Sequence, residues 1–261
     1  MVVADLHVHT TNSDGAMALE AVPAAAKRAG VDTVAVTDHD RVHPDLDAVS
    51  ERRDGVRLVH GIELRVETGD QRLDLLGYGV DPTADLEREI ERIQRDRVER
   101  GRAIIENVED RLGVDLGLDA RPGLGRPHVA RATAEATDMS YEQVFEELIG
   151  DDGPCFVARD VSAFETGRDL LGDACALVGL AHPFRYPDPA AALDRCRDLD
   201  AVERFYPYGR EVDTGLVDRA IDRYDLVATG GSDAHDDELG KAGLGADGYE
   251  RFRAAAGLPD P

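Results

Sequence analysis

The sequence predicts an α/β protein built on parallel strands with covering helices, on three observations. Short β-branched apolar runs alternate with helical patterns at both ends of the 261-residue chain; a long charged helical stretch interrupts them; and histidine and carboxylate motifs recur at the ends of the expected strands. Strands that alternate with helices pair most economically in parallel. In barrels of such strands, the carboxyl ends form the face on which active sites are built.

Val2 to Val8 reads as a strand, Ala18 to Ala29 as an alanine-rich helix stopped by Gly30, and Val31 to Thr37 as a strand. Pro44 to Arg53 reads as a helix, and Val56 to Leu64 and Leu73 to Val80 as strands. From residue 84 to 112 the apolar positions Leu86, Ile90, Ile93, Val98, Ile104, Ile105, Val108 and Leu112 fall at mostly helical spacings, predicting one long helix or two in line. A loop rich in Gly, Asp and Pro (113 to 127) and shorter helices over 129 to 137 and 141 to 149 follow. The alternation then returns: helix 163 to 174, strand 176 to 181, helix 189 to 197, strand 201 to 205, helix 213 to 223, strand 226 to 229.

The formal charge of -24, from 54 acidic against 30 basic residues, repels a polyanion and favours a solvated surface. Lys27 and Lys241 are the only lysines, and this arginine-based, aspartate-rich balance suits a halophile. Concentrated salt shortens the Debye length to a few ångströms, so the acidic surface need not exclude a phosphorylated substrate from a metal-filled pocket. Cys155, Cys175 and Cys196 form no C-x-x-C pair and read as buried thiols. No leader pattern or membrane-length apolar run is present, so a soluble, cytoplasmic protein is expected.

In Asp5-Leu6-His7-Val8-His9 the histidines lie two apart, so on a strand both imidazoles share a face and can chelate one ion. Alone, such a pair is equally well two surface imidazoles on an edge strand. Glu63, Asp233, Asp14 and Asp74, at strand ends or in the loops after them, offer the oxygen ligands that an ion needs. A mixed nitrogen and oxygen set suits zinc, manganese or iron better than magnesium and points to metal-assisted hydrolysis.

The ordered set His7-x-His9, Asp14, Asp38-His39, Glu63, His182-Pro183 and Asp233-x-His235 resembles the PHP (polymerase and histidinol phosphatase) family of metal-dependent phosphoesterases, over residues 1 to 80 and 156 to about 240. Asp14-Gly15, the insertion near residue 100, Arg126-Pro127-His128 and Ala181-His182-Pro183-Phe184-Arg185 resemble the subgroup of 3',5'-nucleotide bisphosphate phosphatases and 5'-to-3' exoribonucleases. The resemblance implies a distorted seven-stranded, TIM-like β/α barrel over 1–81 and 156–261, with a helical insertion or cap over 82–155. It implies a trinuclear centre of divalent metals (Mn, Zn or Fe). The first would take His7, His9, Glu63 and Asp233; the second Glu63, Asp74 and His182; the third Asp14, His39 and His235.

The family often has histidine where this chain has Asp74, which shortens the reach of the second site. Arg126 and Arg185 would bind phosphate oxygens through their guanidinium forks. His128 would bond a phosphate oxygen or protonate the leaving group. Asp38 would orient a ligand histidine. His43 is expected on the surface or the site's rim, and His60 packed at a strand end. The implied substrate is a nucleotide, a nucleoside bisphosphate or the 5' end of short single-stranded RNA. A histidinol-phosphatase-like phosphomonoesterase, a non-catalytic metal-binding module and, more remotely, a deaminase-like or amidase-like metal barrel are the alternatives.

Overall fold

The apolar runs of the N-terminal third become buried strands: β1 (Ala4–Val8), then after α1 (Val22–Ala29) β2 (Thr33–Val36) and, past a short, polar and partly exposed β3 (Ser50–Arg53), β4 (Val56–Glu67) and β5 (Arg72–Tyr78). The helices α2 (Ala84–Leu112), α3 (Arg126–Ala136) and α4 (Tyr141–Val144) follow. Beyond them run β6 (Ser162–Ala163), α5 (Phe164–Ala174), β7 (Leu177–Leu180), α6 (Pro189–Asp194), β8 (Ala201–Phe205), α7 (Thr214–Tyr224), β9 (Val227–Gly230) and α8 (Ala246–Ala255). This computed structural model describes residues 1–122 and 124–259. It divides into two compact units, Met1–Glu87 with the chain from Ser162 on, and Arg88–Val161.

In the first unit the strands run in the order β1-β2-β4-β5-β7-β8-β9, with β3 and β6 also on β4. A parallel bridge from Val8 to Ala234 and an antiparallel one from Ala4 to Leu244 return the chain beyond β9 to β1. The seven strands thereby make a nearly closed barrel. Alternation along the strands separates two cores. Leu6, Ala35, Val59, Leu76 and Tyr78 cluster with Phe252 and Tyr249 of α8, and Phe252 meets the Tyr78 ring edge-on at 5.2 Å. Val8, Val34, Val36 and Leu58 instead pack with Val22, Ala25 and Ala26 of α1. Full burial of a side chain the size of Phe252 contributes about 2–3 kcal/mol. α1 ends on Gly30, whose φ of 71° is the left-handed conformation that closes a helix at least cost.

Two expectations fail here, for one reason: short turns make hairpins where helices and crossovers were expected. Pro44 to Arg53 is not a helix. Its last four residues form β3, antiparallel to β4, through a turn at Asp54 (φ 50°) and Gly55 (φ 82°); an Asp-Gly pair between extended runs is a strong hairpin signal. β5 is antiparallel to both β4 and β7 rather than parallel. Between β4 and β5 the chain has only Thr68 to Gln71, where Thr68 N–H donates to the Gln71 carbonyl, and a parallel crossover needs a dozen residues or more.

The second unit is helical, with its own apolar core of Ile104, Ile105, Val108, Leu124, Val129, Val144, Leu148 and Ile149. The expected long helix is a single one, α2, although its end residues fall in the first unit. No described helix is long and apolar enough to cross a membrane. Cys155 and Cys196 are buried and Cys175 is half-buried, all as free thiols; burial pushes Cys175 and Cys196 up to about 12.

Candidate metal centre

All nine residues predicted to ligate metal lie in the first unit, on or beyond the strands that position them. β1 delivers His7 and, just past its end, His9; the chain beyond β2 carries His39, which bridges to Glu63 in β4; Asp74 is in β5. His182 follows β7, and Asp233 and His235 follow β9. His182 (φ 24°) and Asp233 (φ 52°) both occupy the left-handed region that a side chain disfavours, strain of the kind that collects at functional sites. Gly231 permits the last approach. A Cβ there would sit 2.3 Å from the His7 Cβ, so any side chain would push the Asp233 loop off β1.

The ligand atoms converge in four overlapping groups: His9, Asp14, His39 and His235; His7, His9 and Glu63; His7, His182 and Asp233; and Glu63, Asp74 and His182. Within each, all ligand atoms lie within 4.8 Å of one another. Glu63 is the hub: its Oε2 is 2.8 Å from His39 Nδ1 and 3.4 Å from Nε2 of both His7 and His9, and its Oε1 is 3.0 Å from His182 Nε2.

Histidine protons carry the positive charge that these carboxylates require. Burial pushes the Glu63 carboxyl up, but His39 and His7 override it and hold it well below the usual range. Burial likewise raises Asp14 and Asp233, and their histidine partners (first His235 for Asp14, His9 for Asp233) bring both below the ordinary value. Burial depresses His39, yet the Glu63 charge lifts it to about 9. His9 goes the other way: burial outweighs its hydrogen bond with Asp233 and takes it to about 4.

The donor set fits divalent cations, and the test is in its orphaned atoms. His7 Nε2 and Glu63 Oε2 are buried and make no well-aligned hydrogen bond, although Oε2 lies 2.8 Å from His39 Nδ1, a costly state for polar atoms that a cation between them would relieve. On the far side of the ring, His7 Nδ1 is held by Glu203 Oε1 at 3.2 Å. A carboxylate there holds the Nδ1 proton, so the proton that an entering cation displaces is the one on Nε2, the atom that faces Glu63 and Asp233.

Four supporting residues escaped sequence reasoning or were given another role. Glu203 is buried in β8 between Val202 and Arg204; a carboxylate on the same strand face as Ala201 was the signal available. Asp5, equally buried, accepts from Ser232 N–H (2.8 Å), the Ser232 hydroxyl (2.6 Å) and Gly240 N–H (2.8 Å), tying the Asp233 loop to β1. Tyr206 donates to Asp233 Oδ2 at 2.8 Å. Asp38 does not orient a histidine: it accepts from Thr10 N–H and hydroxyl, Asn12 and the Ser13 hydroxyl, and so shapes the loop that presents Asp14.

Arg185 stands at the mouth, half-exposed, with Nη1 2.9 Å from Asp233 Oδ2 and 3.0 Å from the Tyr206 hydroxyl. Arg126 and His128 belong to the helical unit. There Arg126 pairs with Asp151 at 2.7 Å, and His128 Nδ1 accepts from Gly125 N–H at 3.1 Å, capping α3.

His43 is buried rather than exposed, because the chain after it turns back on β4: His43 Nδ1 accepts from Asp45 N–H, and His60 N–H donates to the Val49 carbonyl. His60 is buried as expected, and burial first, then His43, depresses it to about 4. A histidine neutral in the fold but protonated near 6.5 when unfolded favours the native state fully above 6.5, and that preference is lost as pH falls toward 4. Between pH 7 and 4, wild type should therefore lose on the order of 2–3 kcal/mol more stability than His60→Asn in urea titrations of the metal-free protein. Parallel losses in the two would remove His60 from the acid response.

A PHP domain family model matches residues 5–148. The phosphoribosyl 1,2-cyclic phosphate 1,2-diphosphodiesterase of Eggerthella lenta is 32% identical over 254 residues, which cover 90% of this chain and 94% of that protein. The 3',5'-nucleoside bisphosphate phosphatase of Chromobacterium violaceum is 28% identical over 250 residues, 88% of this chain and 86% of the relative. Among solved structures, a Bifidobacterium adolescentis protein put forward as a metal-dependent phosphoesterase superposes with a TM-score of 0.77 at 19% identity, over 98% of this chain and 96% of its own. That likeness supports the barrel fold.

Proposed function

The chain belongs to the PHP domain family and is a metal-dependent phosphoric ester hydrolase, and on that premise we propose that it acts on a phosphate ester carried by ribose: a nucleoside 3',5'-bisphosphate or the 5' end of short single-stranded RNA. The observation that carries the reading is the pair of orphaned atoms, His7 Nε2 and Glu63 Oε2, at the meeting point of four ligand groups. Its support on the substrate side is the C. violaceum relative and the Arg126-Pro127-His128 and Arg185 motifs.

In this reading His7, His9, Glu63 and Asp233 hold a first ion, Glu63, Asp74 and His182 a second, and Asp14, His39 and His235 a third. Divalent manganese, zinc or iron held there would supply Lewis acidity at a phosphoryl oxygen and lower the pKa of water. The chain's own groups do the rest. Glu203 and Asp5 fix the ligands, and Arg185 at the mouth takes phosphate oxygens, drawn from its resting contact on Asp233. Arg126 adds phosphate binding, and His128 bonds a phosphate oxygen or protonates the leaving group. The charge of -24 with two lysines supports a cytosol of concentrated salt as the setting.

A cyclic phosphodiester of ribose is the second reading, favoured by the 32% identity to the E. lenta enzyme over 90% of this chain. The test is a panel of adenosine 3',5'-bisphosphate, AMP, short 5'-phosphorylated RNA, phosphoribosyl 1,2-cyclic phosphate and histidinol phosphate, with manganese in molar salt, beside His9→Ala. Turnover of the bisphosphate or the RNA, lost in His9→Ala, is expected. Turnover of the cyclic ester alone moves the assignment to the second reading, and turnover of histidinol phosphate alone overturns both. Equal rates in His9→Ala would sink the site itself.

A further inference from the structure

Asp74 differs from the other carboxylates of the centre in what already holds it. Antiparallel pairing of β4 with β5 sets Arg65 directly opposite Asp74. The guanidinium takes the carboxylate fork to fork, Nε donating to Oδ1 at 2.6 Å and Nη2 to Oδ2 at 2.7 Å. The pair is sheltered: the Asp74 side chain is 3% exposed and that of Arg65 35%. Glu63 and Asp14 face histidines, which can themselves ligate a cation. Asp233 gives Oδ2 to Arg185 and Tyr206 but keeps Oδ1 toward His9, at 3.0 Å.

A guanidinium cannot ligate a cation, and it stays charged across the working pH range. A cation entering among Glu63, Asp74 and His182 therefore shares a carboxylate oxygen with a fixed positive charge. A sheltered pair is also screened less by salt than an exposed one, so the penalty persists in concentrated salt.

We infer that Arg65 makes the Glu63, Asp74 and His182 position the weakest cation site of the centre, filled last and emptied first. The chain then holds two ions firmly and takes a third only when the ion is abundant. Arg65 acts here as a positioning residue, setting occupancy through Asp74. The inference rests on the metal-centre reading above and deepens it.

The test titrates the metal-free full-length protein with Mn²⁺ alone, by calorimetry, with bound metal counted after gel filtration; activity is not needed. Wild type should bind two ions tightly and a third at least about tenfold more weakly, the scale on which outer partners tune metal affinity. Arg65→Ser and Arg65→Gln should tighten the third ion by about tenfold or more, while Arg65→Lys, which keeps the charge, should leave it weak. Three ions of indistinguishable affinity in wild type, or a third ion unmoved in both neutral variants, overturns the role of Arg65 and leaves the centre standing. No bound ion in any protein overturns both. The wild-type titration decides the order of filling even if a variant does not fold.

Discussion

Glu63→Gln should lower kcat/KM by about 10²- to 10⁴-fold, with the fold intact. The substitution keeps shape and removes one charge from the hub of the site, where His7, His9, His39 and His182 all lie within 3.4 Å of the carboxylate. Breaking a buried charge pair on one side costs about 3–5 kcal/mol, and at about 1.4 kcal/mol per factor of ten that is two to four decades of rate. Metal content should fall in step, because an amide is a poor substitute for a carboxylate shared among cations. A second readout needs no metal. In the metal-free wild type, burial depresses His39 and the Glu63 charge more than compensates, lifting it to about 9. In the variant burial acts with less opposition, so NMR titration should place His39 well below its wild-type value. A variant within tenfold of wild-type rate, with His39 still near 9, would remove Glu63 from the centre.

The candidate ligands were legible in the sequence because most of them sit on a strand or just beyond its end, where spacing fixes direction. His7 and His9 share a strand face whatever the partner strand is, and Asp233-x-His235 lies just past the end of β9. Strand polarity was less legible. The turns at Asp54-Gly55 and Thr68 to Gln71 decide that β3 and β5 run antiparallel, and turn chemistry carried that signal more strongly than the apolar period did. Least legible were the groups that act through other groups. Asp5, Glu203 and Arg65 are charged residues inside apolar strands, and their partners lie on strands distant in sequence. Alternation shows which face each occupies, but register alone decides that Arg65 meets Asp74 or that Glu203 meets His7.

Glu203→Ala should weaken manganese binding by about 10- to 100-fold, the usual consequence of removing the partner that orients a ligand histidine. Glu203 serves two ligands at once. Its Oε2 accepts the backbone N–H of His182 at 2.7 Å, holding the residue that bends to φ 24°, and its carboxylate faces His7 Nδ1 at 3.2 and 3.3 Å. Alanine orphans the His182 N–H and frees the His7 ring to carry its proton on Nε2, the atom needed for ligation. Glutamine separates this from a purely structural role. With its oxygen at the Oε2 position it keeps the His182 bond but sets its amide nitrogen at the Oε1 position, 3.2 Å from His7 Nδ1, so Glu203→Gln should restore the His182 turn and recover only part of the lost affinity. Nitrogen-15 shifts of His7 in the metal-free protein, followed upward in pH until the imidazolium that Glu203 and Glu63 stabilise has lost a proton, report which tautomer is present. Glu203→Ala that binds manganese as wild type does, with the His7 proton still on Nδ1, would show that β1 alone orients the first ligand and that Glu203 serves only the His182 turn.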